Sequence, residues 1–175
     1  MAVVGIGGLG VLAIQFAKSV GLRVAAVDGS DVGTGNAANV PSHLKPDIIC
    51  KLHDSDTIEK LAQFSGGMGV DAVISCTDDI SATDWAPHRL RYGGVGVVLR
   101  LSNDGFKFDP FNIAFLELII RGSLHSSVQE VEKMVHVMAQ QGICSKITKV
   151  PLQQGESIPE KIAAREFHGR VVVTL

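Results

Sequence analysis

At 175 residues the chain is long enough to bury one substantial core and too short for two comfortable ones. Apolar residues make up 46% and charged residues 19%, which excludes a disordered segment. A net charge of −2 with interspersed signs excludes the basic footprint of a nucleic-acid or anionic-membrane binder. The best candidate for a membrane span, residues 111–120, is too short and carries Glu117. No basic leader with an apolar signal segment opens the sequence. The three cysteines, Cys50, Cys76 and Cys144, fit neither a disulfide framework nor a zinc spacing, so each is expected to be a buried, reduced thiol. The chain is expected to be cytosolic.

In chain order, short β-branched runs alternate with helical patterns. Residues 2–5 read as a strand, 9–21 as a helix stopped by Gly21, and 23–28 as a second strand. Residues 33–46 hold early glycines and asparagines together with Pro41, which predicts a loop or a frayed turn. Residues 46–50 form a weak third strand and 56–67 a helix ending in glycines. Then come a strand at 70–76, a helix at 81–91, and strands at 95–101 and 118–124. A long helix follows at 126–142, and residues 145–150 lead to a helix at 157–167 and a closing strand at 169–175. Strands apolar throughout and separated by helices indicate a parallel sheet covered on both faces. The expected fold is α/β: a doubly wound parallel sheet, a Rossmann fold in a three-layer αβα sandwich, filling residues 1–175 as one domain.

Gly5, Gly7 and Gly10 make G-x-G-x-x-G between the first strand and the first helix, and Asp28 ends the second strand 18 residues after Gly10. That context, more than the glycines alone, marks a dinucleotide fingerprint. Gly5 permits the tight turn, Gly7 lets backbone approach a pyrophosphate, and Gly10 lets helix pack on strand. The N–H groups from Gly8 onward face the anion with the helix dipole behind them. Asp28 can accept both ribose hydroxyls and would repel a 2′-phosphate, so NAD is expected over NADP. The competing reading is a glycine-rich turn that binds nothing, with Asp28 as a strand-ending cap.

The wording of the motif, "GIGGLG" followed by "LAIQFAKSVGLRVAAVD", resembles the zinc-dependent medium-chain alcohol dehydrogenases. The resemblance continues in order through "GGMGVDAVISC", "LRYGGVGVVLRL", "IIRGSLHSS" and "GRVVVTL", and so covers nearly the whole chain. It implies pyrophosphate contacts from Gly7, Gly8 and Leu9, and a ribose contact from Asp28. Leu101, Ser102, Ser123 and Leu124 are placed near the nicotinamide, and Arg170 on a pyrophosphate oxygen. The chain departs from the family at Val11, where many relatives have histidine, and near Gly33, where a lysine often follows the ribose acid. It departs again at Thr77-Asp78-Asp79 and at Arg100, where relatives carry a small residue.

In that family a zinc-binding catalytic domain precedes the cofactor domain. The six histidines are scattered without a ligand spacing, so no zinc site is expected here. The chain is therefore expected to be the NAD(H)-binding part of an alcohol-dehydrogenase-like oxidoreductase, with no catalytic residues of its own and the zinc domain missing. The alternative is a non-catalytic dinucleotide-binding or dimerisation module, a pseudo-enzyme or a truncated product. The resemblance also implies a homodimer through the sixth-strand edge, Leu118–Ser123. A short-chain dehydrogenase is excluded because the single tyrosine, Tyr92, lacks a lysine four residues on. A methyltransferase loop, which usually follows an acid, meets Val3 and Val4 instead.

Overall fold

The computed structural model describes every residue except Asn103, Arg165 and His168. The parallel strands are β1 (Ala2–Val4), β2 (Ala25–Asp28), β3 (Ile48–Lys51), β4 (Val70–Ser75), β5 (Leu90–Val98) and β6 (Ile119–Gly122). They form one six-stranded sheet in the order β3-β2-β1-β4-β5-β6. The order reverses direction between β1 and β4, which is where a doubly wound sheet opens a crevice beyond its carboxyl ends. The predicted α/β Rossmann architecture is the one observed.

The short first strand is the centre of the core. Ala2, Val3 and Val4 are at most 1% exposed. Ala2 and Val4 join the cluster of Val27, Leu61 and Phe64 on one face, while Val3 joins Ile6, Ile14 and Val24 on the other. That alternation at period two shows both faces of β1 to be covered. Helices α1 (Gly8–Ser19), α3 (Thr57–Phe64) and α4 (Ile80–Trp85) bury Ile14, Leu61 and Ala82 respectively.

Coverage thins toward β6. Helices α5 (Pro110–Phe115) and α6 (Val128–Gln141) bury no residue, and neither does α7 (Ile158–Ala163) beside the closing strands. The core is thus most deeply buried around β1 and β2, and reaches Leu90, Leu118 and Ile120 at its far end. The last predicted helix reaches across Arg165, which lies outside the described residues.

Three expectations change. Residues 31–38 form a helix, α2 (Asp31–Ala38), where a loop was predicted. Ser30 caps it by accepting from Gly33 N at 3.0 Å, and the buried Asn36 donates to Ile6 O at 3.1 Å. Capping and tertiary anchoring override the poor propensity of its glycines and asparagines, and Pro41 falls beyond its end.

The closing segment does not extend the main sheet. β7 (Ile147–Pro151) and β8 (Arg170–Thr174) pair in parallel as a separate two-stranded sheet, with Ile147 opposite Arg170. Gln15, fully buried on α1, holds this unit: its Nε2 donates to Cys144 O at 2.8 Å and its Oε1 accepts from Cys144 N at 3.1 Å. Cys50 and Cys76 are buried as expected, but Cys144 is exposed, although its backbone is bonded to the buried Gln15.

Candidate functional site

Parallel pairing brings every carboxyl end of the sheet to one edge, and a row of hydrogen bonds defines it. Gly5 N donates to Val27 O at 2.9 Å, and Cys76 N to Val4 O at 2.8 Å. Leu99 N donates to Ser75 O at 3.1 Å, and Ser123 N to Val98 O at 3.2 Å. The glycine motif and the residues that follow β4, β5 and β6 therefore share one rim.

Gly5 adopts φ +87°, a left-handed conformation, and a Cβ there would lie 2.7 Å from Thr77 Cβ. A Cβ at Gly10 would overlap the Gly5 carbonyl oxygen, so α1 can start this close to β1 only with glycine at that position. Gly7 is different. It caps α1 without a side-chain bond, and nothing lies within 4 Å of where its Cβ would be. Space therefore opens in front of the first-turn N–H groups of α1, which have no intrahelical partners. Leu9, in that turn, is 38% exposed. Dipole and unpaired donors together make this a place for an anion.

Arg170 comes to the same loop from the far end of the chain. A Cβ at Gly8 would meet Gly169 O at 3.2 Å and Arg170 Cγ at 3.7 Å. The β7–β8 unit is thus what delivers Arg170 to the helix start.

Asp28 stands at the end of β2. Its Oδ2 accepts from Ile6 N at 2.5 Å, and its Oδ1 accepts from Ser30 N and Ser30 Oγ, each at 2.8 Å. Three donors fix the carboxylate against the glycine turn. A carboxylate offers about four acceptor sites, so capacity remains for a hydroxyl partner.

Leu101 and Ser102 lie just past β5, and Ser123 and Leu124 just past β6. Leu101 and Leu124 are each 75% exposed. Among the described contacts none ties these four to the glycine loop. Arg100 turns to Asp78 across the ends of β4 and β5, with 2.8 Å between Nη2 and Oδ2. Two departures from the family pattern thus partner each other.

Cys76 follows β4 beside this rim, and burial pushes its thiol up to about 12, which makes it no nucleophile. Among the described residues no three His, Cys, Asp or Glu side chains come together as a metal site. The described side chains therefore do not fit zinc. A dinucleotide does fit: open space at Gly7, a helix start behind it and a fixed acid at the next strand end.

Sequence reasoning missed four contributors. Ser30 and Gly33 fix Asp28 and leave room for it, Asn36 ties α2 to the loop, and Lys146 donates to Asn36 Oδ1 at 3.1 Å. Ser30, two residues after the acid, carried a readable capping signal. The pairing of Asn36 with Lys146 spans 110 residues and had none.

A family model described as zinc-binding dehydrogenase matches residues 8–140. An alcohol dehydrogenase of Geobacillus stearothermophilus is 27% identical over all of this chain and half of its own length. Another from Moraxella sp. (strain TAE123) is 28% identical over 97% of the chain and 48% of its length. The crystal structure of the alcohol dehydrogenase from Aeropyrum pernix superposes with a TM-score of 0.85 at 22% identity, covering 99% of this chain and 49% of that one. The chain spans about half the length of the curated relatives it matches. By sequence match and by fold, it belongs to the family of zinc-binding dehydrogenases, whose dinucleotide-binding sheet it forms.

Proposed function

We propose that this chain binds NAD(H) as the cofactor domain of an alcohol-dehydrogenase-like oxidoreductase. The observation that carries the reading is the pairing of an unobstructed helix start at Gly7 with an acid, Asp28, held by Ile6 N of the same turn. When bound, the nicotinamide supplies a hydride acceptor or donor. The chain's own residues bind and orient it. First-turn N–H groups and Arg170 hold the pyrophosphate, and Asp28 accepts a ribose hydroxyl. Leu101, Ser102, Ser123 and Leu124 border the nicotinamide end. A fixed carboxylate at the ribose repels a 2′-phosphate, which favours NAD over NADP.

The test is a titration of the purified chain with NADH and NADPH, read by nicotinamide fluorescence. Saturation by NADH with at least tenfold weaker NADPH binding supports the reading, and Asp28→Asn should narrow that gap. Equal binding of both cofactors would overturn the preference, and no binding by a folded chain would overturn the site.

The outer edge of β6 supports a second element of the proposal, a homodimer through Leu118–Ser123. Among the described residues β6 pairs only with β5, and Ile119 on it is 45% exposed. Light scattering on a sizing column should give twice the chain mass, and Ile119→Lys should halve it. A monomeric wild type would remove this element and leave the cofactor reading intact.

A further inference from the structure

Among the described residues, Lys146 joins Arg170 as a cation beside the glycine loop. Arg170 N donates to Lys146 O at 2.8 Å, so the two residues leave adjacent strand starts as neighbours. Gly169 permits that approach, because a Cβ there would overlap the Lys146 carbonyl oxygen. The Lys146 ammonium donates to Asn36 Oδ1 at 3.1 Å, and Asn36 Nδ2 donates to Ile6 O at 3.1 Å. Ile6 lies between Gly5 and Gly7. Two hydrogen bonds therefore join the Lys146 charge to the middle of the motif.

The tether has little freedom. Asn36 is 7% exposed and sits inside α2, so its amide cannot swing away without breaking the Ile6 bond. Among the described residues no carboxylate pairs with Lys146, and its side-chain partner is a neutral amide. An ammonium has three N–H donors, of which Asn36 takes one. A cation so placed, two hydrogen bonds from the glycine loop and with donors to spare, is matched to an anionic ligand.

We propose that Lys146 is a phosphate-binding residue: its ammonium binds the pyrophosphate-bearing part of the dinucleotide next to Arg170, while Asn36 positions it against the loop. The proposal rests on the dinucleotide reading above. Lys146 lies outside the segment matched by the family model, residues 8–140, and is a feature of this chain's closing unit.

The experiment compares the full chain with Lys146→Met and Lys146→Arg by NADH titration at about 0.02 M and about 1 M NaCl. A charge-assisted bond to phosphate predicts that Lys146→Met weakens binding about tenfold at low salt. The gap should close at high salt, and Lys146→Arg should stay within about twofold of wild type. ADP-ribose, which carries the pyrophosphate without nicotinamide, should show the same loss as a competitor.

Equal affinity of Lys146→Met and wild type would overturn the proposal. So would a loss that salt leaves unchanged, since that marks a purely structural tether. If Lys146→Met fails to fold, Lys146→Gln at the two salt concentrations gives the same comparison. Failure of the wild type itself to bind NADH or ADP-ribose would instead remove the underlying reading, and the proposal with it.

Discussion

A single methyl group at Gly33 would overlap the carboxylate of Asp28. Helix α2 lies where it does because residue 33 has no side chain, and Asp28 keeps its bonds to Ile6 N and Ser30 for the same reason. Gly33→Ala sets two effects against each other. Alanine gains about 1 kcal/mol of helix propensity over glycine. Displacing Asp28 loses three hydrogen bonds, each about 1 kcal/mol net. The loss wins. Chemical denaturation should show a destabilisation of about 1–2 kcal/mol, and NADH affinity should fall about tenfold.

Gly7 and Gly10 look alike in the motif and should behave oppositely. A Cβ at Gly7 meets nothing within 4 Å, and its φ of −86° suits alanine. Gly7→Ala should therefore leave the unfolding midpoint unchanged while abolishing NADH binding, since the methyl fills the space the pyrophosphate needs. A Cβ at Gly10 would overlap backbone, the Gly5 carbonyl oxygen, which no rotamer can clear. Gly10→Ala should cost about 3 kcal/mol as α1 is driven off β1. If Gly7→Ala retained binding, the pyrophosphate would have to lie elsewhere.

The Arg100–Asp78 pair spans the ends of β4 and β5 with both partners in contact with water. Partly exposed pairs contribute at most about 1 kcal/mol, so Arg100→Ala should barely move the melting temperature. Binding should respond more. The substitution withdraws the positive charge that offsets Asp78, and NADH affinity should fall about threefold at low salt and recover at high salt. An increase in affinity would show instead that the arginine side chain obstructs the nicotinamide end.

Acid stability should depend on Asp47. Burial alone would raise its pKa, but the Val24 N–H at 2.6 Å and the Lys18 ammonium at 2.9 Å prevail and hold it below the usual value. Arg91, bonded to Asp71 at 2.6 Å, lowers that carboxyl too, against a smaller effect of burial. A carboxyl depressed in the folded state stabilises above its unfolded pKa, and that stabilisation is lost as pH falls through the folded value. The urea midpoint should hold steady down to about pH 5 and drop below about pH 4. Asp47→Asn should reduce that slope.

The amino-acid sequence by itself determined the strand–turn–helix start, the acid at Asp28, the parallel α/β class and the family. These are written in short-range spacing: glycines at three positions of one turn, β-branched runs of strand length, and an acid at the next strand end. Such signals act through local backbone geometry and need no knowledge of what packs against them.

Tertiary structure alone decided the rest. Helix α2 was illegible because its residues are poor helix formers, and it stands on the Ser30 cap and on Asn36 reaching Ile6. The closing strand was read as part of the main sheet and residues 145–150 were not read as its partner, because strand patterns do not encode partners. The attachment of the β7–β8 unit through Gln15 and Cys144 closes a separation of 129 residues. That attachment brings Arg170 and Lys146 to the glycine loop. Contacts across such distances depend on chain topology and on which buried polar groups find each other, and no local pattern records either.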